Sequence, residues 1–246
     1  MSSLSDTLRA RLAEVEPYPL GVRAVPQELP FRAFFPGGCG AWDAESDPRG
    51  GVMVLGHNFY HVAGFEKMLR EGLSNPKRQD ANTPTWRNLL STLKRAHIAP
   101  ESCFYTNAYQ GLMESDSSQG LFPGTKDAAF VERCRDFFRV QLEMVRPHLL
   151  VTLGVHVPPF LASLSPVWQG KWLTERGKAR TLPQIDEAGG ALTQTEVALP
   201  SGEVFSLRAV VLTHPAQQWP NVRRRRYKNL ESYEAETQML RDGLTF

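Results

Sequence analysis

Residues 52–61, V-M-V-L-G-H-N-F-Y-H, pass from an apolar run straight into a glycine, and then into two imidazoles, a carboxamide and a phenol. The run is short and bounded by Gly50-Gly51 and Gly56. That fits a strand covered on both faces and is too brief for a periodic helix. In open α/β sheets ligands sit beyond the carboxyl ends of the strands, so a strand that empties into such a cluster marks where chemistry is to be sought.

Working outward, residues 103–106 and 149–153 are two further apolar runs, the first leading into Asn107 and the second into Gly154. Residues 193–199 and 203–213, separated by Pro200-Ser201-Gly202, read as a hairpin whose second arm is a fourth strand ending in Thr213-His214-Pro215. Helical patterns fall between these runs. They cover residues 63–71, a segment opened by Pro84-Thr85-Trp86-Arg87, a short stretch at 157–164 and a final one at 230–240. The clearest is 128–145, where Phe130, Cys134, Phe137, Phe138, Leu142 and Val145 recur at helical spacing.

Residues 5–15 form an amphipathic helix, and 17–36 a proline-dotted connector that Phe31, Phe34 and Phe35 pin to the core. The glycine cluster at 36–40 lacks the spacing of a phosphate-binding loop. Residues 74–83 read as a polar loop, and 165–190 as a variable surface excursion. Strands alternating with helices imply parallel strands joined by right-handed crossovers. Four strand exits then share one sheet edge, and three carry polar side chains: His57, Asn58, Tyr60 and His61; Asn107; and His214. A shared cleft is the economical account of that placement, with loop capping as the alternative.

Composition sets outer bounds. With 246 residues, 41% hydrophobic and 22% charged, the chain reads as a single domain spanning 1–246, and its net charge of +2 makes any electrostatic role a local one. No apolar run reaches the ~20 residues of a membrane span and no signal-like core precedes residue 12, so a cytoplasmic protein with no membrane contact is expected; no apolar stripe asks for a partner, so a monomer with no obligate protein partner is the default. Cys39, Cys103 and Cys134 are widely spaced and unpaired in pattern. That argues against a disulfide framework, a structural zinc and a four-cysteine iron–sulfur cluster.

Taken in order, these residues resemble the uracil-DNA glycosylase superfamily, in a branch without an iron–sulfur cluster. The superfamily's first motif reads G-Q-D-P-Y-H in its best-known branch, against G-H-N-F-Y-H at Gly56 to His61 here. A strand ending in a base-reading asparagine is matched by F-Y-T-N up to Asn107, and R-P-H-L-L-V-T-L-G up to Gly154 is similar to the strand after the long helix. The final H-P-S is matched by His214-Pro215-Ala216. The fold this implies is a three-layer α/β/α sandwich with a central, mostly parallel four-stranded sheet.

The resemblance also implies an activity, hydrolysis of the N-glycosidic bond of uracil or a related deaminated base in DNA, by base flipping and water attack, without cofactor or metal. Asn58 takes the water-positioning place, where an amide orients water but cannot accept its proton. His214 donates to the base as charge develops on it, and Asn107 reads its Watson–Crick edge. Gly56, His57, Phe59 and Tyr60 of the first motif line the base pocket, with Tyr60 excluding a 5-methyl group and Phe59 or Phe65 stacking on the base.

After His214, Gln218 aligns with the residue that wedges the duplex, with Trp219 as a stacking substitute, and Arg223, Arg224, Arg225 and Arg226 clamp phosphates. The partner is DNA, single- or double-stranded, containing a damaged base. Ala216 departs from the superfamily's phosphate-contacting serine. Two other classes remain open: a glycosylase-like nucleic-acid-binding protein with little turnover, and a metal-dependent hydrolase using His57, His61 and His214.

Overall fold

The computed structural model describes residues 4–25, 48–70, 84–115 and 121–245. The phenylalanines of the connector, the glycine cluster at 36–40 with Cys39, and the loop at 74–83 lie outside them. In chain order the strands are β1 (Val22–Arg23), β2 (Val52–Gly56), β3 (Cys103–Asn107), β4 (Leu112–Met113), β5 (Leu149–Leu153), β6 (Leu192–Ala198), β7 (Val204–Leu212), β8 (Arg226–Tyr227) and β9 (Leu230–Glu231). The α-helices are α1 (Leu4–Leu12), α2 (Val62–Arg70), α3 (Pro84–Arg95), α4 (Ala128–Val145), α5 (Val157–Leu161), α6 (Pro166–Trp172), α7 (Leu182–Glu187), α8 (Gln218–Val222) and α9 (Ser232–Leu244).

The central sheet runs β3-β2-β5-β7-β6, with the first four strands parallel and β6 antiparallel to β7. Four parallel strands agree with the expectation, but the sheet has five. The first arm of the hairpin, alternating buried and exposed, joins it as an outer strand instead of standing apart.

Alternation along the strands sends side chains to two cores. Met53, Leu55, Phe104, Leu150 and Val211 face α1 and α4 to α7, while Val54, Tyr105, Val151 and Leu212 face α3 and α9. This is a three-layer α/β/α arrangement, built because every residue of β2, β3 and β5 is buried and needs cover on both faces. Between the layers α4 is fixed at both ends. Asp127 accepts the Phe130 N–H at 2.9 Å, and Arg146 turns left-handed at φ 50° just before Pro147.

Residues 165–190 are not a surface excursion. They hold α6 and α7, and Trp168 and Trp172 stack on each other at 4.9 Å with no exposed surface. Their indole N–H groups donate to Thr193 Oγ1 and the Gly190 carbonyl. Much of the mixed charge and the glycines that suggested a loop fall in the turn between the two helices, at 174–180, and in the turn after α7, at 189–190. Trp172→Ala is expected to cost ~3–5 kcal/mol, as for other fully buried tryptophans, in urea denaturation. A loss below ~1 kcal/mol would show that the segment is peripheral after all.

Candidate active site at the carboxyl edge of the sheet

The exits of β2, β3, β5 and β7 lie side by side, because parallel pairing in register puts their carboxyl ends at one edge. The β2 and β3 exits stay knitted beyond the strands. Ala108 N–H donates to the Gly56 carbonyl, Tyr109 N–H to that of His57 and Met113 N–H to that of Tyr60, at 2.9–3.0 Å. Asn58, on the loop after β2, and Asn107, the last residue of β3, are thereby held on adjacent, mutually braced segments. Asn107 is 3% exposed, and its backbone carbonyl accepts from Gln110 Nε2 at 2.5 Å.

Three imidazoles gather here. The His57 ring lies 5.4 Å from that of His156 and edge-on to Tyr109 at 5.2 Å. Burial pushes the His57 imidazole down to about 4, and the nearby His156 and His214 act in the same direction. Neutral His57 donates from Nδ1 to Asn58 Oδ1 at 3.2 Å, the carbonyl being able only to accept. Asn58 Nδ2 is buried without a partner among the described residues, as is Gln110 Oε1. A buried amide left half-satisfied beside a strand exit is the kind of group that a polar ligand completes.

His214 is set with more definition. Its Nδ1 accepts the Ala216 N–H at 3.2 Å, so in the neutral ring the proton sits on Nε2. Burial, and then the neighbouring His156, keep its pKa below the usual histidine value. Behind it, Gly154 at φ +84° leaves no room for a side chain, since a Cβ there would stand 2.9 Å from His214 Cβ. The glycine after β5 is thus the seat of the histidine after β7.

Loop 215–218 is clamped to α3. Asn88 Nδ2 donates to the Pro215 carbonyl at 2.7 Å, and Gln218 Nε2 donates to Thr92 Oγ1 at 3.0 Å. Gln218, 5% exposed, is therefore an anchor and not a wedge. Trp219, next to it on α8, is 74% exposed and is the side chain able to reach a ligand.

The four arginines divide. Arg223, Arg224 and Arg226 are exposed, Arg226 pairing with Glu231 at 3.1 Å. Arg225 is fully buried between Asp186 and Glu236, so it does not clamp phosphates. Buried charges are retained only when paired and hydrogen-bonded, and here the partners lie far off in sequence.

The aromatic candidates separate similarly. Phe65 is packed with Val25 and Leu112 in a small cluster that Phe59 also joins, so Phe65 offers no free face to a base. Tyr60 is 44% exposed at φ 110°, its ring 4.2 Å from that of His61. A left-handed backbone at a bulky residue is strained and persists where its surroundings enforce it. The ring lies where a Cβ on Gly64 would come within 2.1 Å, so only glycine permits this pose.

His61 does not join the other imidazoles, its Nδ1 being occupied by the Gly64 N–H at 3.1 Å. Among the described residues no three histidines, cysteines or carboxylates are placed to hold a metal, which removes the geometry that a His57, His61 and His214 site requires. Cys103 and Cys134 are buried with pKa values pushed up to about 12, the character of inert thiols. Among the described residues no helix is long and apolar enough to cross a membrane. A groove of about 270 Å³ lies at the opposite edge of the sheet, lined by Arg146, His148, Phe205 and Arg208, away from all of these groups.

His156 was not singled out from the sequence. It follows Gly154 by two residues, at an exit that otherwise carries no polar side chain. The available signal was its place after the third apolar run. No family model matches the chain, and no curated protein matches it.

Because His57 is held neutral, its contribution to stability is present above the unfolded value of about 6.5 and is lost as pH falls through about 4. In that window the unfolded chain binds more protons than the folded one. Acidification is expected to cost up to ~3 kcal/mol through this group. Denaturation between about pH 7 and about pH 4 should show a shallower loss in His57→Gln than in the wild type. Equal slopes would contradict the assignment.

Proposed function

We propose that the chain is a uracil-DNA glycosylase-like enzyme that hydrolyses the N-glycosidic bond of uracil or a related deaminated base in DNA, in base excision repair. The observation that carries the proposal is the convergence of Asn58, Asn107 and His214, from three separate strands, at one sheet edge. A water directed by Asn58 bonds to the anomeric carbon as the carbon–nitrogen bond breaks, and the bonding pair leaves with the base. The proton of that water passes to solvent, since the amide cannot hold it.

The departing base carries negative charge, and a neutral imidazole with its proton on Nε2 is a donor suited to it. Tyr60 shapes the pocket wall and Asn107 reads the base edge. Extrusion of the base from the stack requires something to fill its place, and exposed Trp219, flanked by Arg223, Arg224 and Arg226, supplies a stacking ring with phosphate contacts.

A second reading, a glycosylase-like protein that binds nucleic acid with little turnover, is favoured by one detail. Asn58 Oδ1, the atom that would aim water, is engaged by His57.

Abasic-site formation on uracil-containing single-stranded and duplex oligonucleotides, with a chelator present, separates the two. Asn58→Ala and His214→Ala are expected to lower wild-type turnover by ~100-fold or more, and Asn58→Asp to raise it by a comparable factor, because a carboxylate accepts the proton. Absence of product from the wild type, with DNA binding intact, would favour the binding protein.

The surface assignment is checked by affinity against salt concentration. Ala at Arg223 or Arg224 should reduce the slope by about one counterion each, uniformly across sequences. Trp219→Ala should weaken binding by ~1–3 kcal/mol with the slope unchanged.

A further inference from the structure

Beneath the end of β7 lies a buried ionic unit that the chemistry above does not use. Arg225 is fully buried. Its Nε and Nη2 donate to the two oxygens of Asp186 at 2.9 and 2.8 Å, its Nη1 to Glu236 Oε1 at 2.9 Å, and Nη2 also to the Val211 carbonyl at 2.8 Å. The same Glu236 oxygen accepts the backbone N–H of Thr213 at 2.6 Å. Asp186 accepts the Arg226 N–H as well.

Three separate segments, α7, the turn after α8 and α9, therefore meet at Val211 and Thr213, just before His214. Few arrangements justify burying one guanidinium with two carboxylates for stability alone. Apolar replacements of similar size are often as stable or more so, and the best-attested return for such a cluster is specificity of arrangement.

We propose that Asp186, Arg225 and Glu236 form a positioning unit for His214. The unit fixes the Thr213 backbone and so holds the imidazole in the orientation where Nδ1 takes the Ala216 N–H and Nε2–H faces outward. Thr213 N–H is the link: the residue directly before the histidine is tied to α9, while Asn88 ties the residue directly after it to α3. The device stands on geometry alone. Its bearing on catalysis rests on the glycosylase function proposed above.

The test reads the ring itself, through the nitrogen-15 chemical shifts of the His214 imidazole in the full chain. The wild type is expected to show the Nε2–H tautomer alone; a dominant Nδ1–H tautomer would overturn the proposal. The combined variant Asp186→Leu, Arg225→Met, Glu236→Leu removes every charge while keeping bulk. It is expected to stay folded by thermal melting, to populate both tautomers at His214, and to lose roughly 10- to 100-fold in kcat for uracil excision with a smaller change in KM.

A folded triple variant with an unchanged His214 spectrum would overturn the proposal. Should that variant fail to fold, Glu236→Gln and Glu236→Ala decide. The amide keeps an acceptor for Thr213 and is expected to preserve the single tautomer, whereas alanine loses it; identical spectra from the two would also overturn the proposal. A wild type that excises no uracil but shows the expected tautomer response would count against the proposed function and leave the positioning unit standing.

Discussion

The strands at the centre of this protein are apolar on both faces, and that single constraint decides where polarity can go. Between two helical layers an unpaired amide or imidazole is costly, since it gives up its hydrogen bonds to water. The chain therefore delivers such groups where the strands end. Gly56, Gly154 and the Asn107 carboxamide all mark the point at which the apolar run stops. The loops beyond β2 and β3 are held by backbone bonds to each other and by the small cluster of Val25, Phe59, Phe65 and Leu112, and Gly154 is tied by its N–H to the end of β7.

Crowding at that edge sets the electrostatics. Burial pushes the pKa of His57 and of His214 down, and the neighbouring His156 acts on both in the same direction. The result is two neutral rings whose hydrogen bonds define which nitrogen carries the proton. His57 faces Asn58 with a donor and His214 faces Ala216 with an acceptor, so the two present opposite character to the space beyond them. A uniformly cationic patch would attract phosphate. Neutral rings of defined polarity instead offer directed hydrogen bonds, while the exposed charge lies on the arginines past α8.

Much of the framework was legible in the sequence because local pattern specifies it. The runs at 52–55, 103–106 and 149–153 became strands, and 128–145 became a helix with the same bounds, since burial on both faces and helical spacing leave few alternatives. The site was legible in part. Asn58, Asn107, Tyr60 and His214 stand at strand exits, a position that the order of elements dictates.

Long-range pairing was beyond the reach of local pattern. Arg225 sits in a run of four arginines and only its partners, 39 and 11 residues away, turn it inward. Gln218 looks like a free loop residue until α3 is packed beside it. Phe65 and residues 165–190 erred for the same reason: short helices acquire their buried faces from elements that lie elsewhere in the chain. His156 stood behind a glycine at an exit without other polar groups, and its relevance emerged only when β5 was placed between β2 and β7.

The outer hairpin carries a consequence for how this molecule assembles. β6 and β7 pair over seven residue positions across a short turn, so their contacts close a small loop and form at little entropic cost. The pairings of β2 with β3, β2 with β5 and β5 with β7 each await a crossover of dozens of residues. Every histidine and amide at the carboxyl edge depends on those slower closures. The hairpin can exist as a local unit early in folding, but the edge that gathers His57, His156 and His214 comes into being only with the completed sheet.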